Sequence, residues 1–269
     1  MSNLEVRIIS LHNNPSALPK LQALFSDVAV SRAVDMREHT PQQLFGANLI
    51  TATAADTMLV GGRKWHREFT RGGAVGLAQS MKAVLRRQRG SPHAWTLMCE
   101  EDCLPRANLP RVVQTLIDGY RASCHFDAAL IGSVFNKSTP SCIPGFGTVQ
   151  GNFFGTQCVL IPPDGHAKLL RILSPPLEVQ VDALMSNMCK LNRLHLIVQL
   201  GNLGDRSTTQ LKTPSTIQSR CPMCNTHPLA PLPRDDPQPH PLTPDVYMFC
   251  TGFVVAIVLA MLWLKMSHQ

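Results

Sequence analysis

The stretch "WTLMCEEDCLP", Trp95–Pro105, decides how the chain is read. Its first half is an apolar run of strand length, and it ends in three consecutive acids, Glu100, Glu101 and Asp102. Adjacent like charges repel, so a turn carries them either as solvated surface or because they hold a cation. Side chains alternate along an extended backbone, which directs Glu100 and Asp102 to one side and Glu101 to the other. Two carboxylates converging on one side are what a Mg²⁺ or Mn²⁺ ion requires, with phosphate oxygens and waters in its other positions.

Working outward, the flanking segments alternate strand-like and helical patterns. Upstream, "VRIISL" (Val6 to Leu11) reads as a buried strand, and Leu18, Leu21 and Leu24 follow at helical spacing behind Ser16 as cap. "VAVSRAVD" reads as a second strand ending at Asp35. From Gly73 to Arg89, Val75, Ala78, Met81, Val84 and Leu85 make one apolar stripe, and Gly90 ends the helix. Downstream come the helix "NLPRVVQTLIDGY", capped by Asn108 with Pro110 in its first turn, and the strands "DAALIG" and "GTQCVLI". The helix "PDGHAKLLRIL", a helix near Ala183 to Leu191 and the strand "LHLIVQL" close the pattern. The alternation predicts an α/β domain over 1–204, with a central mixed sheet flanked by helices. In open α/β sheets ligands bind beyond the carboxyl ends of the strands, and that is where the acids fall.

The 269 residues are 44% hydrophobic and 16% charged, enough for one substantial domain and an appendage without disulfide staples. A net charge of +7 and a pI near 9.1 suit an anionic partner. Much of the excess lies between Gly61 and Gly90, where Arg63, Lys64, Arg67, Arg71, Lys82, Arg86, Arg87 and Arg89 face the single acid Glu68. Aromatic residues do not interleave with these cations as a single-strand binding platform requires, so no nucleic acid is expected. The cluster reads equally as a solvated helix face, and Arg63, Lys64 and Arg67 could neutralise a diphosphate from a loop, although nothing in the sequence fixes them there.

Nine prolines lie between Pro214 and Pro244, and apolar periodicity stops there, so 205–245 is expected to be a disordered linker. Within it, "CPMCNTH" offers Cys221, Cys224 and His227 at metal-like spacing, one ligand short of a structural zinc site unless His240 completes it. The segment 246–264, "VYMFCTGFVVAIVLAMLWL", carries no charge and would span roughly 28 Å as a helix, about the thickness of a bilayer core. Tyr247 and Trp263 suit the interfacial belts. With no secretory pattern at the front, this reads as a single-pass tail anchor with the preceding domain in the cytosol. Nine cysteines in that compartment are expected as free thiols.

The order of these elements resembles glycosyltransferase family 25, the lipooligosaccharide-biosynthesis and collagen-galactosyltransferase type. The resemblance runs from Val6 to Leu191 through "IISL", "RAVDM", "GLAQSM", "LMCEEDCLP", "GTQCVLIPPDGHAKLL" and the pair Val181–Asp182. It departs from the family pattern where a histidine is replaced by Met81, where the middle acid is Glu101, and near Val159 in place of a tyrosine. The resemblance implies a GT-A-like domain that moves a hexose from a UDP-sugar to a hydroxyl of a glycan or protein acceptor near a membrane. It implies that Glu100 and Asp102 hold Mn²⁺ or Mg²⁺, and that Asp35 faces the nucleoside, with Arg32 and Glu101 beside the donor. It implies that Asp182 orients the acceptor hydroxyl or acts as base. The start of a helix is an equally natural place for Asp182. The missing histidine leaves open a catalytically inactive relative that serves as a membrane-tethered scaffold.

Overall fold

The structure, a computed structural model, describes residues 3–60, 67–88, 95–174, 176–201 and 207–210. All of them belong to one compact unit.

In chain order the elements are β1 (Leu4–Ser10), α1 (Leu18–Gln22), β2 (Val28–Arg32), α2 (Pro41–Gly46), α3 (Ala52–Val60), α4 (Gly72–Gln88), β3 (Trp95–Glu100), β4 (Cys103–Pro105) and α5 (Leu109–Arg121). Then follow β5 (Ala128–Leu130), β6 (Val134–Phe135), β7 (Ser138–Pro140), β8 (Phe146–Val149), β9 (Phe153–Phe154), β10 (Cys158–Ile161), α6 (Pro163–Leu173), α7 (Val181–Lys190), β11 (Leu196–Gln199) and β12 (Thr208–Gln210). Eight strands form one mixed sheet in the order β2-β1-β3-β10-β5-β11-β8-β7. Strands β2, β1 and β3 are parallel, whereas β10 runs antiparallel between β3 and β5.

Period-2 alternation divides the sheet between two cores. Met98 of β3 and Val159 and Ile161 of β10 pack with Val75, Met81 and Leu85 of α4, Leu169 of α6 and Met185 of α7. Leu97 and Cys99 of β3 and Cys158 and Leu160 of β10 turn the other way, onto Leu21 of α1 and Val113 and Leu116 of α5. The result is the expected α/β arrangement, a large mixed sheet with helices on both faces.

Each strand and helix expected between Val6 and Leu200 has a counterpart, although β2 ends at Arg32 and not at Asp35. The shorter elements α2, α3, β4 and β6–β9 were not anticipated. For α2 a signal exists: Thr40 and Gln43 form a reciprocal capping box around Pro41. Two expected caps differ. Ala17, not Ser16, occupies the N-cap of α1, and the Ser16 hydroxyl donates to the Glu101 carbonyl at 3.2 Å instead. Asn108 stands at the N-cap of α5 but makes no side-chain cap bond, because its backbone is already helical.

The expectation of free thiols throughout also needs correction. Cys124 and Cys142 form a disulfide, their Cα atoms 5.9 Å apart, within the reach of a bridge. Cys99, Cys103, Cys158 and Cys189 are free. The fold reaches past the expected domain end at 204, because β12 pairs with β4. The zinc-like Cys221, Cys224 and His227, the rest of the linker and the span 246–264 lie outside the described residues. Among the described residues no helix is long and apolar enough to cross a membrane.

Candidate functional site

Parallel pairing of β2, β1 and β3 delivers three loops to one edge of the sheet: Leu11 onward after β1, Ala33–Asp35 after β2, and the acids after β3. Alignment of Ile9 with Glu100, and of Ser10 with Arg32, sets their depth.

Glu100 closes β3. Its amide donates to the Gln157 carbonyl at 2.9 Å, and its Oε1 accepts the Thr156 hydroxyl at 2.7 Å. Burial and then the neighbouring Asp102 push its carboxyl up to about 7. Thr156 opposes the rise, and Asp182 and Glu101 add to it. Asp102 and Asp182 therefore both lie within electrostatic reach of Glu100, although they come from sequence positions eighty residues apart.

Glu101 behaves differently from its neighbours. Its Oε2 accepts the Ser10 hydroxyl at 2.6 Å and the Leu11 amide at 3.3 Å, so the side chain anchors the turn to the end of β1. The strand itself ends at Glu100 and the chain turns over Glu101–Asp102. Extended alternation therefore stops one residue too early to account for Asp102, whose approach to Glu100 is produced by the turn.

Asp182 is the second residue of α7, and its Oδ1 accepts the Ala183 amide at 2.8 Å. The cap position belongs to Gln180, whose amide and side chain bind the carbonyls of Arg67 and Glu68 at 2.9 and 2.7 Å. This tie brings Arg67 to the same end of the domain. Its guanidinium is half-buried, donates to Asn152 Oδ1 at 3.2 Å and lies in the field of Asp182. Burial lowers its pKa while Glu68 and Asp182 favour its charge.

Asp35 is exposed and engaged by Arg37, which donates to its two oxygens at 2.8 and 2.6 Å. The Arg37 amide adds a contact at 3.1 Å. Those bonds pull the Asp35 carboxyl down to about 2. Glu101 also favours the charged form of Arg37, so the Asp35–Arg37 pair stands beside the acid turn. Arg32 ends β2 as an exposed side chain. The loop that carries Asp35 is clamped by α4. A Cβ on Gly72 or Gly76 would come within 1.8 Å of the Met36 carbonyl or 2.4 Å of the Val34 carbonyl, so only glycine allows this approach.

Arg37, Glu38, His39, Arg71 and Gly72 line a cleft of about 540 Å³ next to this loop. Glu100, Asp102 and Asp182 do not line it. Met81, where the family resemblance expects a histidine, is 1% exposed, packs in the core and does not line the cleft. Thr156 and Ser10 are the contributors that sequence patterns could not single out.

The donor set suits a hard divalent cation. Glu100 and Asp102 are oxygen donors, and a bound dication would relieve the repulsion from Asp102 that adds to burial in raising the Glu100 pKa. Soft ligands stand apart in the thiols of the opposite face.

No protein-family model and no curated protein sequence matches the chain. Among solved structures, A197 from STIV is similar over 77% of this chain and 93% of its own, with 14% identity and a TM-score of 0.38. UDP-glucose pyrophosphorylase complexed with UDP-glucose is similar over 77% and 74%, with 9% identity and a TM-score of 0.36. 4-Diphosphocytidyl-2C-methyl-D-erythritol synthase is similar over 79% and 93%, with 15% identity and a TM-score of 0.37. These are loose overlaps, and no substrate, metal or activity follows from them.

Proposed function

We propose that the chain is a metal-dependent glycosyltransferase of the family 25 type with a GT-A-like domain, moving a hexose from a UDP-sugar to an acceptor hydroxyl. What supports this reading is the placement of Glu100 and Asp102 at the carboxyl edge of a mixed sheet, with Asp182 in the electrostatic field of Glu100. Glu100 and Asp102 hold Mn²⁺ or Mg²⁺, which would neutralise charge developing on the departing diphosphate. Arg67 supplies a further positive group at that end. Asp182 orients the acceptor hydroxyl or accepts its proton. Asp35 and Arg32 border the donor, whereas Glu101 supports the turn that presents the two metal ligands.

The acceptor is a glycan or protein near a membrane, reached by a domain that 246–264 tethers from the cytosolic side. Hydrolysis of UDP-galactose and UDP-glucose, with and without Mn²⁺, tests the reading. The expected result is Mn²⁺-dependent release of UDP that disappears when Glu100 and Asp102 are both replaced by alanine. Activity that survives the double replacement overturns the metal assignment.

A second reading has its own support. The acids do not line the 540 Å³ cleft, and Arg37 already occupies the Asp35 carboxylate. A catalytically inactive, membrane-tethered scaffold is consistent with both observations. It predicts no UDP release, with or without metal, from a folded chain.

A further inference from the structure

Beneath the acid turn, on the opposite face of the sheet from α7, three free thiols meet. Cys99 lies next to last in β3, Cys103 opens β4 and Cys158 opens β10, and each is 0% exposed. Their sulfurs all lie within 4.8 Å of one another, with Cys99 and Cys158 at 3.7 Å. The backbone sets this meeting. Cys99 and Cys158 are partners across the antiparallel β3–β10 pairing. The neighbouring pair makes the Glu100-to-Gln157 amide bond, so Cys99 and Cys158 form the non-hydrogen-bonded pair, in which side chains come closest. Cys103 is brought back over them by the Glu101–Asp102 turn and held there by the pairing of β4 with β12.

The spacing matches a shared cation. At a metal–sulfur length of about 2.3 Å, two sulfurs on one ion lie roughly 3.8 Å apart in a tetrahedral arrangement and roughly 4.0 Å apart in a trigonal one. We propose that Cys99, Cys103 and Cys158 form a trithiolate site for a soft, thiophilic dication of the zinc class. Cys99 precedes Glu100 and Cys103 follows Asp102, so the ion staples both ends of the acid turn to β10. On binding, each thiol passes its proton to solvent, and three thiolates around a dication leave one net negative charge. The soft site and the hard Glu100–Asp102 pair select different ions by donor chemistry. The proposal does not depend on glycosyl transfer.

The test uses the full-length chain carrying Cys221→Ser and Cys224→Ser, which removes the Cys-x-x-Cys pair as a competitor. The metal-free protein, kept under anaerobic conditions with its Cys124–Cys142 disulfide intact, is titrated with Cd²⁺ and followed by the ultraviolet charge-transfer band of cadmium thiolates. The band should saturate at one equivalent, Zn²⁺ should displace it, and Cys103→Ser or Cys158→Ser should abolish it. Glu100→Gln with Asp102→Asn should leave it unchanged. No band in the parent chain overturns the proposal, as does a band that persists in the folded cysteine variants or vanishes with the two acids. If the cysteine variants do not fold, X-ray absorption on the zinc-loaded parent decides. Three sulfur neighbours support the site, and fewer sulfurs overturn it.

Discussion

Thr156, two residues before β10, donates its hydroxyl to Glu100 Oε1 at 2.7 Å. That bond ties the first acid of the turn to a segment more than fifty residues away and favours its ionised form. Thr156→Val deletes the donor while keeping the shape. A hydrogen bond to a charged group is worth about 1.5–3 kcal/mol, so the Glu100 pKa should rise by about one unit or more. Mn²⁺ titrations by calorimetry at several pH values should show the half-binding pH moving up by that amount. No movement would detach Glu100 from metal binding.

Glu100 also gives the metal-free fold a pH dependence of definite sign. Its folded pKa, about 7, lies above the ordinary 4.5, so the unfolded chain releases this proton first as pH rises. The stabilising contribution is complete below about pH 4.5 and is lost as pH passes through about 7. The melting temperature of metal-free protein should fall across that window. The fall should shrink in Glu100→Gln and be reversed by saturating Mn²⁺, because protons and cation compete for the same carboxylate. A profile identical in Glu100→Gln would place the titration elsewhere.

Glu101, by contrast, holds the turn to β1 through Ser10 and Leu11. Ser10→Ala leaves a half-buried carboxylate without one of its donors and should cost about 1–2 kcal/mol in denaturant unfolding. Glu101→Gln keeps the side chain's shape and one acceptor oxygen, and should retain most Mn²⁺ affinity. A loss of affinity as large as that of Asp102→Asn would make Glu101 a ligand.

Gly76 decides how closely α4 approaches the loop of Asp35. In Gly76→Ala the new methyl meets the Val34 carbonyl at 2.4 Å, a backbone atom that cannot rotate away. Overpacking of this kind costs about 1–3 kcal/mol. Thermal unfolding should register the loss, and binding of UDP should weaken as the loop shifts. Unchanged stability would mean that helix and loop can separate without penalty.

Much of the architecture was legible in the chain because burial writes periodicity into sequence. The stripe of Val75, Ala78, Met81 and Leu85 and the apolar body of β3 are packing demands, and each appears at its own period. Short strands such as β6 and β9 pair with each other and carry two residues apiece, too few to show any period. The candidate site was half legible. Three consecutive acids at a strand end are visible in sequence, but their division of labour is not. The alternation that separates them on an extended backbone fails at the turn, where Glu101 goes to Ser10 while Asp102 and Glu100 share one electrostatic neighbourhood.

By itself the sequence determined the α/β class, the order of its main elements and the strand end that carries Glu100, Glu101 and Asp102, since hydrophobic spacing and local charge are properties of neighbours along the chain. The tertiary structure alone decided that Asp182 and Thr156 join Glu100, that Arg37 takes Asp35, and that Cys99, Cys103 and Cys158 meet at one point. Those encounters depend on which strands pair and in what alignment. Pairing is settled by long-range packing of two buried faces, for which no local pattern exists.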